Sequence, residues 1–477
     1  MLTQKNKKAI DNCRQILVSK IPSPEGQIEQ VTMAMLYKFM DDMDKESTLL
    51  GGKAKFFVGS YEQYSWRKII DQKIGAQDRY NLYTEALEKF YIHPTMDPVF
   101  KEMFKNASVP FKEADILTLF LREVNEGFDY SDSETLGDAY EYLLSDQASQ
   151  KGLGQFRTPR HIIDMIVNII EPKKNDIILD PACGTAGFLI SAYNYIMRSN
   201  TNQKLGDKLN YDEKIEILKH LTGYDIEPKM VKIARMNMFL HGALNPDIYE
   251  YDTLTMESKW DEKFNIILAN PPFMTPSGGI KPHKKFGVSS NRSEVLFVDY
   301  IMSHLRAEGK AGIIVPEGVV ATKGNAYSDL RKNLVNNYLV AVISLPAGIF
   351  QPYSGVKTNI LILDKKKAKT LDEVLLIKLT NDGFSLGAKR TEIDGSEVDI
   401  IQDIVKQFIN NNKIEYENSI IVNREKILNN SNVSLKYNDY KREVKASRTY
   451  ESEEVIINRI LERNKKISKL LEEYGNE

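Results

Sequence analysis

From Gln4 to about Ser145 apolar residues recur at helical spacing, and no strand pattern of any strength interrupts them. The segment SPEGQIEQVTMAMLYKFMDDMDKE opens after Pro24 with an acidic first turn, which predicts a long helix, and ETLGDAYEYLLSDQ predicts another near the end of the region. After GLGQFRTPR the texture changes. Short apolar runs occur at 177–180 (IILD), 221–225 (LTGYD), 248–252 (IYEYD), 264–270 (FNIILAN), 311–316 (AGIIVP), 338–346 (YLVAVISLP) and 358–364 (TNILILD). Helical segments separate the first six, the clearest being AGFLISAYNYIMRS, PKMVKIARMNMFLHG, SEVLFVDYIMSHLRAEG and NAYSDLRKNLVNN. Strands that are apolar on both faces and alternate with helices predict a parallel sheet covered on both sides. The last two runs are joined by a short Gly/Pro-containing loop, which permits an antiparallel hairpin. A doubly wound domain over about 150–370 follows. Beyond Lys369 the chain turns polar and rich in Asn and Lys, and VDIIQDIVKQFINNN predicts a helix there. At the end, Ile456, Ile460, Ile467, Leu470 and Leu471 form one stripe on a terminal helix. Such a stripe either packs back on its own domain or docks on a partner.

Length and composition narrow the picture. A chain of 477 residues is too long for one core, so two or three domains are expected. No apolar run reaches the length of a membrane span, and the N-terminus lacks the apolar core of a secretory signal. Cys13 and Cys183 cannot support a disulfide framework, which points to a reducing cytoplasm. Six scattered histidines without a Cys/His cluster argue against a built-in metal site. The Gly51–Lys53 GGK lacks the remaining residues of a phosphate-binding loop and reads as a turn. Net charge is −2, so if nucleic acid is the substrate, the basic surface is local or is supplied by a partner.

Candidate chemistry gathers at the predicted strand ends. IILDPACGTAGFLISAY reads as strand, glycine-containing turn and helix, with Asp180 closing the strand and Gly184 and Gly187 allowing the tight turn. In an open α/β sheet this turn lies where ligands bind. An acid ahead of the turn would repel a pyrophosphate. A cationic cofactor suits it better, and S-adenosylmethionine carries both an ammonium and a sulfonium; a purely structural turn is the alternative. Asp225 ends the next strand in GYDIEP, where a carboxylate can bind ribose hydroxyls, and Asp252 ends the third in YEYDTL, where it can face adenine. In GQFRTPRHIIDMIVNII, Thr158 reads as an N-cap and Pro159 as the first helical residue. Free N–H groups there would suit the methionine carboxylate, or the helix is simply well capped.

The fourth strand runs into NPPF, and the amide, the rigid Pro-Pro and the ring need a reason. An adenine amino nitrogen is a poor nucleophile because its lone pair is delocalised into the ring. Two acceptors aimed at its hydrogens would stabilise the charge that develops as it takes a methyl group. Asn270 supplies one through its side-chain oxygen and Pro271 the other through its carbonyl. Phe273 offers a face on which an extruded base can stack.

The order GQFRTPR, DPACGTAGF, GYDIEP, NPPF resembles the amino-methyltransferases of DNA whose cofactor motifs precede the catalytic one. ARMNMFLHG, SEVLFVDYI, AGIIVPEGVV and LPAGIFQPYSGVKTNILI resemble, more narrowly, the modification subunit of type I restriction–modification systems, and the resemblance covers about 125–365. Departures are Ala186, where glycine is frequent, and Arg157, where an aromatic or polar residue is common. The resemblance implies an α/β fold with a Rossmann-like class I S-adenosylmethionine-dependent methyltransferase core, its sheet seven-stranded and mostly parallel. An α-helical domain over 1–148 precedes a catalytic domain over 149–420, and a tail over 421–477 carries a partner-docking helix. Implied too is N6-adenine methylation of a flipped base held among Asn270, Pro271, Pro272 and Phe273. Thr158, Asp180, Gly184, Asp225 and Asp252 would surround S-adenosylmethionine, with Gln155, Phe156, Ala182, Thr185, Gly187, Ile226 and Thr253 from the same motifs. Implied partners are double-stranded DNA, a DNA-specificity subunit, a second copy of the modification subunit and a restriction/translocase subunit, with no membrane. The loop KPHKKFGVSSNR (281–292) carries several cations and either contacts DNA phosphates or is simply solvated. Two other readings compete. Protein glutamine methyltransferases use an Asn-Pro-Pro-aromatic motif, but they are smaller and usually carry Tyr. A non-catalytic assembly subunit would keep the fold and only clamp DNA.

Overall fold

The structure, a computed structural model, describes residues 3–49, 51–96, 98–128, 137–140, 142–143, 158–243, 245–274, 282–351, 354–387, 390–412, 414–441 and 453–474. Its first third is helical, as the periodicity predicts. α1 (Gln4–Val18) begins at Thr3, whose hydroxyl accepts from the Asn6 N–H at 3.2 Å while Asn6 Oδ1 accepts from the Thr3 N–H at 3.1 Å. This reciprocal pair satisfies two of the N–H groups that a first turn leaves without partners. α2 (Pro24–Leu49), α3 (Ala76–Tyr91) and α4 (Ala114–Gly127) contribute to one core, in which the Tyr37 ring lies within 5.9 Å of those of Phe57, Trp66, Tyr83 and Phe90.

After α5 (Arg160–Ile170) the α/β alternation begins. The strands are β1 (Ile178–Asp180), β2 (Leu221–Asp225), β3 (Asp247–Glu250), β4 (Phe264–Ala269), β5 (Leu305–Pro316), β6 (Leu339–Ser344), β7 (Thr358–Asp364), β8 (Glu373–Lys378) and β9 (Ser419–Asn423). They form one sheet in the order β3-β2-β1-β4-β5-β7-β6-β8-β9. β1 to β5 pair in parallel, and β7 inserts antiparallel between β5 and β6, as the short loop before it permits. The seven-stranded sheet expected from the sequence is corrected to nine strands among the described residues. β8 extends it in parallel beside β6, and β9 closes the edge antiparallel to β8. β9 also lies across residue 420, where the sequence divides catalytic domain from tail. The third strand ends at Glu250, so Asp252 stands two residues past it.

Helices α6 (Gly187–Ser199), α7 (Pro228–Leu240), α8 (Ser293–His304), α9 (Asn325–Asn337) and α10 (Val398–Ile409) lie among the strands in sequence. α10 is the helix predicted beyond Lys369. α8 stops at His304, earlier than its apolar run implies, because Leu305 already pairs with Phe264 of β4. α7 has two loyalties: its Val231, Ala234 and Met238 join the core of the sheet, whereas Met236, Phe239 and Leu240 enter the core of the helical third. Phe239 there lies 5.4 Å from Phe39 and 4.4 Å from Phe100.

All of this belongs to a compact unit over 1–439; residues 440–477 form a second. Within the latter, α11 (Glu453–Tyr474) is the predicted terminal helix. It leaves Ile457, Ile460, Leu461 and Ile467 exposed, while the side chains of Ile456, Leu470 and Leu471 lie outside the described residues.

Candidate functional site

Parallel pairing of β1, β2 and β4 brings their carboxyl ends to one edge of the sheet, and the order in which the chain adds strands switches sides between β1 and β4 while the strands stay parallel. That is the crevice in which open α/β sheets bind ligands. Asp180 ends β1 with 1% of its surface exposed, and its Oδ1 accepts the Ala182 N–H at 3.1 Å. Burial pushes its carboxyl up to about 8, against the Ala182 N–H and helped by the Asp225 carboxylate. Asp225, at the end of β2, reaches across to accept the Gly184 N–H at 3.0 Å and the Glu227 N–H at 2.9 Å. Its carboxyl is also raised, chiefly by burial. Desolvation raises both carboxyls toward the neutral form, and a cationic guest beside them would favour their charged forms.

Gly184 has φ 52°, and a Cβ added there would meet nothing within 4 Å, so the turn borders open space. Gly187 serves packing instead. A Cβ there would come within 3.1 Å of the Ile163 side chain, so the glycine lets α6 approach α5. Ala186 takes a left-handed conformation with φ 66°, the backbone that suits the glycine frequent at this position. Beside this turn, Thr253 Oγ1 donates to the Pro181 carbonyl at 2.9 Å, Asp252 accepts from the Leu254 N–H at 2.9 Å, and Ile226 is 65% exposed. The Thr185 carbonyl accepts from Asn237 Nδ2 at 2.8 Å, while the Asn237 Oδ1 is buried with no partner among the described residues.

β4 delivers Asn270. Its Nδ2 donates to the buried Thr158 hydroxyl at 2.8 Å, 112 residues back along the chain. Committing the amide nitrogen to Thr158 assigns the accepting role elsewhere to Oδ1. The same contact corrects the reading of Thr158 as an N-cap. α5 starts at Arg160 with Pro159 as its cap, the Pro159 carbonyl accepting from Ile162 and Ile163, and Thr158 stands one residue outside with its hydroxyl on Asn270. Phe273 packs on the core with part of its surface free. Its neighbours are fixed by Ser293, the first residue of α8. Ser293 Oγ lies 2.6 Å from the Pro272 carbonyl and 2.7 Å from that of Met274, and accepts the Met274 N–H at 3.0 Å.

Pattern reading reached Asn270, Pro271, Pro272, Phe273 and the cofactor-side acids, and the structure gathers them at one edge. Gln155 and Phe156 lie outside the described residues. Ser293 and Asn237 were missed; each sits on a helix whose apolar run was legible, but nothing local marks the long-range bond. In the basic loop, Lys284, Lys285 and Arg292 are exposed, and the backbone is tied down by Gly287 N–H to Asp299 at 2.7 Å.

Comparison with known proteins places this geometry. Residues 131–449 match the family model N-6 DNA Methylase. The methylase subunit of the type I restriction enzyme EcoEI from Escherichia coli is 32% identical over 363 residues, which cover 71% of this chain and 70% of that one. The corresponding EcoKI subunit of Escherichia coli strain K12 is 30% identical over 319 residues, 64% of this chain and 58% of that subunit. Among solved structures, a chain from a study of assembly and conformational transition of the type I restriction–modification system superposes with a TM-score of 0.72 at 22% identity, covering 100% of this chain and 98% of that one. The type I methyltransferase subunit from Streptococcus thermophilus gives 0.70 at 19% identity, over 92% and 99%. These two likenesses establish the fold alone, an α/β sheet domain behind a helical N-terminal region. On the family model and the EcoEI relative, the chain belongs to the N-6 DNA methylase family, among the methylase subunits of type I restriction enzymes.

Proposed function

We propose that this chain transfers a methyl group from S-adenosylmethionine to the N6 amino group of an adenine extruded from duplex DNA, as the modification subunit of a type I assembly. The Thr158–Asn270 hydrogen bond carries the reading, because it dedicates the Asn270 oxygen to accepting at the end of β4. Asn270 Oδ1 and the Pro271 carbonyl each take one N6 hydrogen, so the nitrogen is held in line and its growing positive charge is stabilised. Phe273 stacks on the base, with Pro272 and Ser293 holding its backbone in place. Positioning supplies most of the rate.

Thr158, Asp180, Gly184, Asp225, Asp252 and Ile226 would hold the cofactor, with Ala182, Thr185, Gly187 and Thr253 shaping the turn around it. Gln155 and Phe156 belong to the same set. The open space at Gly184, the buried acids and the exposed apolar face of Ile226 fit a cationic nucleoside. When bound, it supplies a methyl group already activated on a sulfonium.

A net charge of −2 gives the chain little grip on a duplex by itself. We therefore assign it a DNA-specificity subunit and a second modification chain as partners, so that both strands are reached, with a restriction/translocase subunit as a further member. Assembly is assigned to the helical region up to residue 148 and to the tail after 420 through its terminal helix. Buried free thiols at Cys13 and Cys183 fit the reducing cytoplasm assigned here.

The test is Asn270→Ala in the assembled complex. Methyl incorporation into duplex DNA should fall by about 10²–10³ in kcat while S-adenosylmethionine binding by calorimetry persists. Wild-type turnover in this variant would sink the assignment.

A further inference from the structure

A buried acid outside all of these motifs ties two distant loops to the helix that begins beside Asn270. Asp382 follows β8, and its side chain is fully enclosed. His161 Nε2 lies 2.8 Å from its Oδ2, and Arg390 forms an ion pair with the same oxygen. Arg390 also donates to the carbonyl of Ile349, between β6 and β7. Both partners pack on one ring: His161 stacks on Phe384 at 4.7 Å, and the Arg390 guanidinium lies 5.6 Å over it. Burial alone would raise the Asp382 carboxyl, yet the bonds from His161 and Arg390 hold it below the usual carboxylate range. A buried ionic group of this kind adds little net stability over an apolar replacement. What it supplies is fixed geometry.

The geometry it fixes is that of the catalytic amide. His161 is the second residue of α5, three positions from Thr158, whose hydroxyl receives Asn270. We propose that Asp382 is a positioning residue for methyl transfer. Together with Arg390 it pins the first turn of α5 through His161, and so sets the Thr158 hydroxyl that orients Asn270. This rests on the reading of Asn270 as the catalytic amide.

The experiment uses the chain assembled with its specificity subunit on duplex DNA. Asp382→Asn keeps the shape and removes the charge. Its kcat should fall about a hundredfold, the scale of a small misplacement, with KM for S-adenosylmethionine and DNA within about twofold of wild type. Thr158→Val should lower kcat alike, Thr158→Ser should restore it, and the Asp382→Asn/Thr158→Val double variant should be no slower than the slower single, because both interrupt one linkage. His161→Phe, which keeps the stack and loses the bond, carries the same expectation if Asp382→Asn fails to fold. Additive losses, an intact kcat, or a raised KM for S-adenosylmethionine with kcat unchanged would overturn the brace. Asn270→Ala, run alongside, separates the two ideas. Full turnover there removes the catalytic reading and the brace with it, whereas its inactivity beside additive losses removes the brace alone.

Discussion

Asp180 is shut into the end of β1 with the Ala182 N–H as its hydrogen-bond partner, and that confinement has a pH signature. Its folded pKa is pushed up to about 8 by burial, whereas a free Asp titrates near about 4. The native ligand-free chain therefore keeps a proton that the unfolded chain gives up above about pH 4. Its stabilising contribution is complete below that value and is lost as pH rises towards 8. Asp180→Asn should flatten this slope, so that the variant gains on wild type between pH 5 and pH 8 in urea unfolding. Parallel pH profiles would mean that the carboxyl is ionised in the fold. The acids were legible because a strand end followed by a glycine turn is a local pattern. Thr158 was misread for the opposite reason. Thr-Pro reads locally as cap and first helical residue, but a contact 112 residues away claims the hydroxyl and passes the cap to Pro159.

Elements were easiest to read where apolar runs are long and their neighbours regular. β2 and β7 match their predicted spans residue for residue, and β7 takes the antiparallel direction that the loop before it permits. β8 and β9 were not predicted, since EVLLIK and SIIVN are short runs in a polar stretch and find partners only at the growing edge of the sheet. The start of α8 shows how one element disciplines another. Ser293 is buried and holds both backbone groups of Met274 and the carbonyl of Pro272. Ser293→Ala should leave α8 intact yet cost about 0.5–1.5 kcal/mol at the loop, the net worth of a typical hydrogen bond, since the Met274 carbonyl keeps the Ser293 N–H. Amide exchange at Met274 should quicken while the α8 amides keep their protection. Uniform quickening along α8 would show that the serine supports the helix instead.

At the scale of the molecule, the unit over 440–477 presents α11 with Ile457, Ile460, Leu461 and Ile467 exposed. Four aliphatic side chains within three turns fit a helix made to be covered. Truncation after Arg448 should leave a folded chain that binds S-adenosylmethionine but no longer co-purifies with the specificity subunit. Full assembly and methylation by the truncated chain would reduce the helix to an ordinary surface. Of the stripe read from the sequence, Ile460 and Ile467 are seen exposed, joined by Ile457 and Leu461, which that reading did not include. The junction at α7 works differently. Because Phe239 and Leu240 are buried among helices of the first third while Val231 and Met238 are buried under the sheet, neither half can be lent out alone. A catalytic portion grafted onto another protein from residue 149 onward would arrive with bare aromatic and aliphatic surface. In recombination between related genes the two regions must therefore travel together, and exchange is free only where the chain has already left the sheet.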